Sequence, residues 1–465
     1  MSTPPDRAAI VDLLRKYDRP GPRYTSYPTA PMWNESVDSE VYRALLAEAS
    51  KEIDTPLAVY CHIPFCRKRC YYCGCNTCIV VRTEPISEYL ASLEREITEV
   101  AGRFGKRRRV SQLHLGGGTP TYLGRDGLGR LIAALSGVFE FAAKAEMSIE
   151  VDPRETTPDD VVKLCELGFN RVSLGVQSFD ADVQKAIGRN QTTEQVERLY
   201  AALREHGFGG INFDLIYGLP LQTPERFAAT LDRTIVLRPD RIALYSFAYL
   251  PDLPRLKGHQ RLIKAEDLPD TEAKYQLFST AIERLTAAGY RQIGMDHFAL
   301  PEDELSVAQQ DGRLHRNFMG YTVQAAPEMV GFGMSGIGYV GDTFVQNQPE
   351  VPAYREAVER AGMAVYRGLK LSDDDLVRQF VINSLMCNFR LSFEDLKRRF
   401  GVGYDEYFVT EDGLLEGLID DGLLKRAGNA LQVTPLGRTF VRNIAMVFDA
   451  WLARKDKKTT FSRTI

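Results

Sequence analysis

Residues 57–75 read LAVYCHIPFCRKRCYYCGC. An apolar run of strand length, Leu57 to Ile63, feeds into a loop that carries Cys66, Cys70 and Cys73 in the spacing C-x3-C-x2-C. That spacing lets one loop wrap three thiolates around a single inorganic core. Thiolates favour iron–sulfur clusters or zinc. Three sulfurs on a cubane of four irons leave the fourth iron without a protein ligand, and an open coordination position marks a site that does chemistry. A zinc knuckle or a disulfide pair are the structural alternatives for the same loop. Six of the eight cysteines fall between 61 and 78 in a chain of 465 residues, which does not read as a disulfide framework. It reads as a reduced, cytoplasmic metal site.

Outward from this stretch the pattern alternates. Strand-length apolar runs stand at 57–63, 110–115, 147–152, 171–177, 211–218 and 241–248, and helical periods lie near 86–101, 125–138, 158–167, 193–206 and 224–236. Regular alternation implies right-handed crossovers and a parallel sheet, so the fold class is α/β, a barrel or partial (β/α) barrel. Further apolar segments follow at 290–299 and 329–341. The C-terminal strand ends are the face on which such barrels build active sites. After the first comes the cysteine loop, and after the second Gly116-Gly117-Gly118-Thr119-Pro120. Near the next four stand Glu150, Gln177, Asp214 and Ser246 to Ala248.

Three segments are expected: an N-terminal arm (1–50), a catalytic barrel (51–365) and a mainly helical, winged-helix-like cap (366–465). The arm holds a short amphipathic piece, Ala8 to Tyr17, then PGPRYTSYPTAP, whose four prolines exclude regular helix or central strand. Tyr24, Tyr27 and Trp33 argue for an ordered arm. The cap opens at an N-cap candidate, Ser372, followed by acids. Hydrophobic content of 44% and charged content of 26% are those of a soluble globular protein. A net charge of -4 argues against a dedicated nucleic-acid binder, and the run Lys106-Arg107-Arg108-Arg109 reads as a solvated turn. No apolar run of membrane-spanning length and no signal pattern appears.

The cysteine loop ahead of a (β/α) pattern resembles the radical S-adenosylmethionine superfamily. Within it, PGPRYTSYPTA, HIPFCRKRCYYCGCN, GGGTPTYL, SIEVDPRE, FNRVSLGVQSF, FDLIYGLPLQTPE, GMDHFALPEDEL and the closing FSR are similar to the oxygen-independent coproporphyrinogen III oxidase (dehydrogenase) family, over nearly the whole chain. Cys75 is typical of that family, and the related haem-chaperone branch tends to have an aromatic there. The resemblance implies a [4Fe–4S] cluster on Cys66, Cys70 and Cys73, and a first S-adenosylmethionine chelating the open iron. Electron transfer would cleave the sulfonium to a 5'-deoxyadenosyl radical. The implied reaction is oxidative decarboxylation of two propionates of coproporphyrinogen III to vinyl groups, giving protoporphyrinogen IX in haem biosynthesis.

Position by position, the resemblance places Tyr60, Gly117, Glu150 and Ile337 around the first cofactor. It places Tyr72, Gly118, Thr119, Gln177, Arg189, Asp214 and Ala248 around a second S-adenosylmethionine. Glu150 suits the amino group of a zwitterion, Asp214 the ribose hydroxyls or amino group of the second cofactor, and Arg189 its carboxylate. Arg23 and Tyr24 on the arm, with His315 and Arg316, are candidates for the substrate's carboxylates. Cys61, Cys78, Cys165 and Cys387 are expected as small buried hydrophobes. A small electron-donor protein such as flavodoxin or ferredoxin, and a monomeric state, are the expected partner and assembly. The sequence departs from the family at Met319, where a glutamine is usual, at Tyr72 and at Cys61. A thioether is a weak acceptor and no donor, which motivates a second reading, a relative that uses the second cofactor as methyl or methylene donor; a third, a haem-binding chaperone, is one that the CGCN loop and the arm argue against.

Overall fold

The computed structural model describes residues 7–254, 256–323, 327–452, 454 and 461–464. All six strand-length runs form strands: β1 (Leu57–Ile63), β2 (Arg109–Gly117), β3 (Glu140–Val151), β4 (Arg171–Gln177), β5 (Gly210–Tyr217) and β6 (Arg241–Ser246). Each pairs in parallel with the next. The crossover helices are Glu84–Arg103, Gly124–Ser136, Pro158–Glu166, Thr193–Glu205 and Pro224–Leu237. Three begin at threonines whose hydroxyls accept backbone N–H groups, Thr157, Thr192 and Thr223, the first two as full capping boxes. Such caps are worth about 1 kcal/mol each.

The later apolar segments complete the sheet but change its direction. They are β7 (Arg291–Ile293), β8 (His297–Ala299), β9 (Glu328–Phe332), β10 (Ile337–Val340), β11 (Thr343–Asn347) and β12 (Val365–Lys370). The order across the 12-stranded sheet is β12-β11-β10-β9-β1-β2-β3-β4-β5-β6-β8-β7. β9 joins β1 in parallel, whereas both flanks are antiparallel. Connection length gives the reason at one pair: β10 and β11 are joined by Gly341 and Asp342, with φ of 55° and 53°, a tight turn that leaves no room for a crossover helix. β12 and β7 remain separate edges, so the α/β fold is a partial barrel. It curls enough that Gln112, Glu146, Arg171, Asn212, Arg241 and His297, from six strands, line one interior cavity.

The first fifty residues divide between two cores. Helix Arg7–Tyr17, Tyr24 and Tyr27 pack with Val381, Leu385 and Ile444 of the C-terminal segment, and Tyr24 is 2% exposed. Helix Ser39–Ala49 packs through Tyr42 and Leu46 into the sheet's own core. The C-terminal end pairs with the arm: Gly21 N–H donates to Ser462 O at 3.0 Å and Thr464 N–H to Arg19 O at 2.9 Å. Helix Asp373–Asn388 starts at Ser372 in a capping box with Asp375, and a three-stranded sheet closes the segment. The basic run 106–109 is not simply a solvated turn. Arg107 is fully buried, donates to the carbonyls of Ala49 and Thr55 at 2.9 Å, and pairs with Glu328.

Candidate active site

The glycine turn after β2 and the carboxylate on β3 form one unit. Gly117 has φ 111°, and a Cβ there would stand 2.5 Å from the His62 ring, so only glycine fits. A Cβ on Gly118 would lie 2.7 Å from the Phe65 carbonyl oxygen, because the turn runs directly against the segment entering the cysteine loop. Two backbone bonds stitch them: Gly118 N–H to Ile63 O and Thr119 N–H to Phe65 O, both 2.8 Å. Gly117 N–H donates to Glu150 Oε2 at 3.0 Å, and His114 Nε2 stands 3.5 Å from Oε1. Burial alone would raise the Glu150 carboxyl. The His114 hydrogen bond, then the Gly117 amide, hold it below its usual value, so it is an anion. Its side chain is 41% exposed, a charge presented to the cavity. Tyr60 stacks on His114 and its hydroxyl lies 2.9 Å from His62 Nδ1. His62 Nε2 is 2.9 Å from the Asn76 carbonyl, so Nε2 carries the proton and Nδ1 accepts from Tyr60.

Cys66, Cys70 and Cys73 line a cavity of about 330 Å³ together with Gly117, Gly118 and Glu150. Thr119 Oγ1 lies 3.6 Å from Cys66 Sγ. Burial pushes the Cys66 thiol up to about 12, whereas a hydrogen bond from Cys75 brings Cys73 down to about 7. His259 Nε2 donates to the Cys73 carbonyl at 2.6 Å and pins the loop from the far side. On the loop's other flank, Arg154 and Arg189 each place a guanidinium nitrogen 3.5 Å from Cys70 Sγ.

The wall opposite the cysteines comes from β4 and β5. Gln177, at the end of β4 with φ 66°, Arg189 and Asp214 line the same cavity as the cysteines. Arg189 is 5% exposed; it donates to Gly175 O at 2.6 Å, reaches Tyr72 Oη at 3.4 Å and pairs with Asp152 at 3.2 Å. Asp214 accepts from Ser173 Oγ and from Asn212 Nδ2, each at 2.9 Å. Burial, then the Glu150 charge, raises its carboxyl to about 7. Glu150, Ser173, Asp214 and Tyr245 also line the interior cavity of about 140 Å³ beneath, which is floored by the pairs Arg171–Glu146 (3.0 Å) and Arg241–Asp303 (2.9 Å).

This arrangement has known relatives. Residues 60–234 match the model of the Radical SAM superfamily and residues 371–440 that of the HemN C-terminal domain. The oxygen-independent coproporphyrinogen III oxidase of Salmonella typhimurium is 46% identical over 453 residues, 97% of this chain and 98% of the relative. The protein of the same name from Synechocystis is 43% identical over 98% of both chains. Coproporphyrinogen III oxidase (HemN) from Escherichia coli, solved as a radical SAM enzyme, superposes with a TM-score of 0.89 at 44% identity, covering 95% of this chain and 98% of that one. The chain belongs to the oxygen-independent coproporphyrinogen III oxidase family. Members of this family are radical S-adenosylmethionine enzymes, with a [4Fe–4S] cluster and S-adenosylmethionine as cofactors.

The residues present fit that pair of groups. The donor set is three soft thiols on one loop, the facing backbone is glycine where a Cβ would collide, and the cavity offers an anion, Glu150, and a cation, Arg189, to zwitterionic ligands. Asn212 Oδ1, buried beside Asp214, has no hydrogen-bond partner among the described residues. Other expected members of the oxidase site stand further off. The Ile337 backbone packs against Gly331, the register partner of Tyr60, and so neighbours Tyr60 through the sheet. Ala248 offers its carbonyl to Gln260 Nε2 at 3.1 Å, which also reaches Tyr72 O at 3.5 Å. Arg23 donates to Ser246 O at 2.8 Å and lies 3.8 Å from Asp296, outside the cysteine cavity. Tyr24 is in the second core, donating to Asp449 at 2.9 Å. His315 and Arg316 line a separate cavity of about 550 Å³ under the arm. Met319 lines the polar interior cavity of the barrel.

Sequence reasoning missed His114, Asp152 and Arg154. A signal was present: Ser148 and Glu150 share one face of β3 by period two, and Asp152 stands two residues on, just past the strand's end. The cysteines outside the loop divide: Cys61 and Cys387 are buried as expected, but Cys78 is half-buried and Cys165 is exposed. Cys165 lies in helix Pro158–Glu166, whose buried residues are Val161 and Leu164, so its face turns outward.

Proposed function

We propose that this chain carries out the oxygen-independent oxidative decarboxylation of coproporphyrinogen III, and that the cavity at the strand ends is where it happens. The observation that carries the reading is the convergence of Cys66, Cys70, Cys73, Glu150, Gln177, Arg189 and Asp214 on one cavity, fed by six successive elements of the partial barrel. At each of two propionates a hydrogen atom leaves the β-carbon, then carbon dioxide and one electron leave, and a vinyl group remains. When bound, the cluster and S-adenosylmethionine supply the electron and the carbon-centred radical that begin this.

The chain's residues do the rest. Cys66, Cys70 and Cys73 would hold the cluster. Glu150, ionised by His114 and the Gly117 amide, would receive the ammonium of the first S-adenosylmethionine. Gly117 and Gly118 let that ligand approach the backbone, with Tyr60 and Ile337 on the neighbouring strands. Tyr72, Thr119, Gln177, Arg189, Asp214 and Ala248 would surround the second, Arg189 taking its carboxylate. The ion pairs below Asp214 close the barrel and keep bulk water from the reacting carbon. For the propionates we assign Arg23, His315 and Arg316, Arg316 lying beside the arm with Nη1 3.4 Å from the Arg23 carbonyl, and we retain Tyr24 only as the arm's anchor. The organisation we propose is an arm (1–50), a catalytic barrel (51–365) and a cap (366–465), acting as a cytoplasmic monomer reduced by a small flavodoxin- or ferredoxin-type protein. Among the described residues no helix is long and apolar enough to cross a membrane.

The test is anaerobic reconstitution followed by addition of S-adenosylmethionine, a reductant and coproporphyrinogen III. Vinyl products with loss of carbon dioxide at two propionates are expected. Formation of 5'-deoxyadenosine without decarboxylated product would reject this substrate.

A further inference from the structure

Two guanidinium groups reach the same sulfur. Arg154 Nη2 and Arg189 Nη1 both lie 3.5 Å from Cys70 Sγ. Asp152 stands between them, 2.6 Å from Arg154 Nη2 and 3.2 Å from Arg189 Nη2. All three are largely withdrawn from solvent, with side-chain exposures of 16%, 6% and 8% for Arg154, Arg189 and Asp152. Asp152 directly follows the strand that carries Glu150, and Arg154 is further locked because Asp152 Oδ1 also accepts its backbone N–H at 3.0 Å. The triad carries a net positive charge at one corner of the thiolate set. Neither Cys66 nor Cys73 receives a guanidinium hydrogen bond among the described residues; the nearby Arg69 acts on Cys73 through its charge alone, its Nη2 donating to the Thr77 carbonyl.

We propose that Arg154 and Arg189 set the reduction potential of the cluster through Cys70, and that Arg189 couples this potential to occupancy of the second cofactor site. The inference rests on the cluster reading of the three cysteines. Reduction adds negative charge to the cluster. Donors to a ligating sulfur and nearby positive charge stabilise the reduced form and raise the potential. Arg154 also borders the cavity, but Asp152 grips its guanidinium through both Nε (3.0 Å) and Nη2 (2.6 Å), so its contribution is the steadier of the two. Arg189 faces two ways: it touches Cys70 and Tyr72, and it lines the cavity beside Gln177 and Asp214. A carboxylate arriving on Arg189 neutralises part of its charge and withdraws it from Cys70. The potential then falls, and the reduced cluster becomes a stronger donor only when the second site is filled. The arrangement holds back the reductive step from an incompletely loaded enzyme.

The test is a reductive titration of reconstituted protein followed by EPR, with iron and sulfide measured first. Arg154→Gln is expected to lower the cluster midpoint at unchanged iron content, and Arg154→Lys to restore most of it. In the wild type, rising S-adenosylmethionine is expected to move the midpoint in two phases, the later one downward and absent in Arg189→Gln. An Arg154→Gln midpoint equal to the wild type overturns the proposal, and a later phase that survives in Arg189→Gln overturns the coupling. Should Arg154→Gln fail to hold iron, Asp152→Asn decides the matter: loss of the anion leaves the guanidiniums uncompensated and raises the midpoint, and an unchanged or lower value overturns the proposal. Iron and sulfide absent from the wild type would be a different failure, that of the cluster reading itself.

Discussion

Glu150 accepts the backbone N–H of Gly117 at 3.0 Å, so the carboxylate of β3 and the glycine turn of β2 cannot move independently. The bond fixes where the negative charge stands relative to the cysteine loop, because the same turn is tied to Ile63 O and Phe65 O. Glu150→Gln keeps the shape and the acceptor for Gly117 but removes the charge. A hydrogen bond to a charged group contributes about 1.5–3 kcal/mol. The expected outcome is a ten- to hundredfold (about 1.4–2.7 kcal/mol) weaker response of the cluster EPR signal to S-adenosylmethionine, with iron content unchanged. An unaltered titration would mean that Glu150 does not hold the first cofactor.

Gly118 tests the steric half of the same unit. An added Cβ would stand 2.7 Å from the Phe65 carbonyl oxygen and from the Pro64 carbonyl carbon, both backbone atoms that cannot swing aside. Gly118→Ala is therefore expected to push the turn off the cysteine loop, at a cost of about 1–3 kcal/mol, and to lower iron retention after reconstitution. Gly129 is the control. It lies in helix Gly124–Ser136 with nothing within 4 Å of a built Cβ. Gly129→Ala is expected to stabilise the fold by about 0.5–1 kcal/mol in a denaturant titration and to leave iron content alone.

The parallel half of the fold was legible because its signals are local. Period-two apolar runs and threonine N-caps at Thr157, Thr192 and Thr223 state strand and helix within a few residues. Glu150 and Asp214 were legible for the same reason, since each stands as a carboxylate in the C-terminal half of an apolar strand run. What stayed hidden depends on neighbours distant in sequence. His114 matters because it lies in register with Ser148 across a strand boundary, placing it beside Glu150. Arg107 sits in a run of four basic residues, and nothing local says that the Ala49 and Thr55 carbonyls will bury it. Tyr24 looked like a substrate contact because it shares a motif with Arg23. Its partner is Asp449, more than four hundred residues away. The antiparallel flanks were missed because β7 to β12 are short, and short runs do not announce their direction.

Glu96 gives the fold a pH dependence. It is fully buried between helix Glu84–Arg103 and the loop after β9, and accepts from Gly333 N–H (2.8 Å), Asn347 Nδ2 (2.7 Å) and Tyr354 Oη (2.8 Å). Burial raises its carboxyl from 4.5 to about 7, against the pull of those three donors. The folded chain thus holds this proton more tightly than the unfolded chain. Its stabilising contribution is complete below about pH 4.5, declines as the pH climbs towards 7, and is gone above that, a swing of order 3 kcal/mol. Glu96→Gln, which cannot ionise, is expected to flatten this part of the stability profile between pH 5 and 7. Equal slopes for the two proteins in urea titrations across that window would show that Glu96 does not titrate there.

Tyr24 separates anchoring from catalysis. Its hydroxyl donates to Asp449 Oδ2 at 2.9 Å, while Oδ1 accepts the N–H groups of Trp451 (2.9 Å) and Leu452 (3.2 Å). The pair is buried in the core that the arm shares with the C-terminal segment. Tyr24→Phe keeps the ring and strands a buried carboxylate oxygen, a loss of about 1–3 kcal/mol. The expected result is a lower unfolding midpoint with product formed per cluster unchanged at temperatures where both proteins are folded. Arg23→Ala is the companion: it leaves this anchor intact and removes a cation proposed to meet the substrate's carboxylates, so its effect belongs in KM for coproporphyrinogen III rather than in stability. A tenfold fall in product per cluster for folded Tyr24→Phe, with stability unaltered, would return Tyr24 to the reacting site and contradict the packing that places it away.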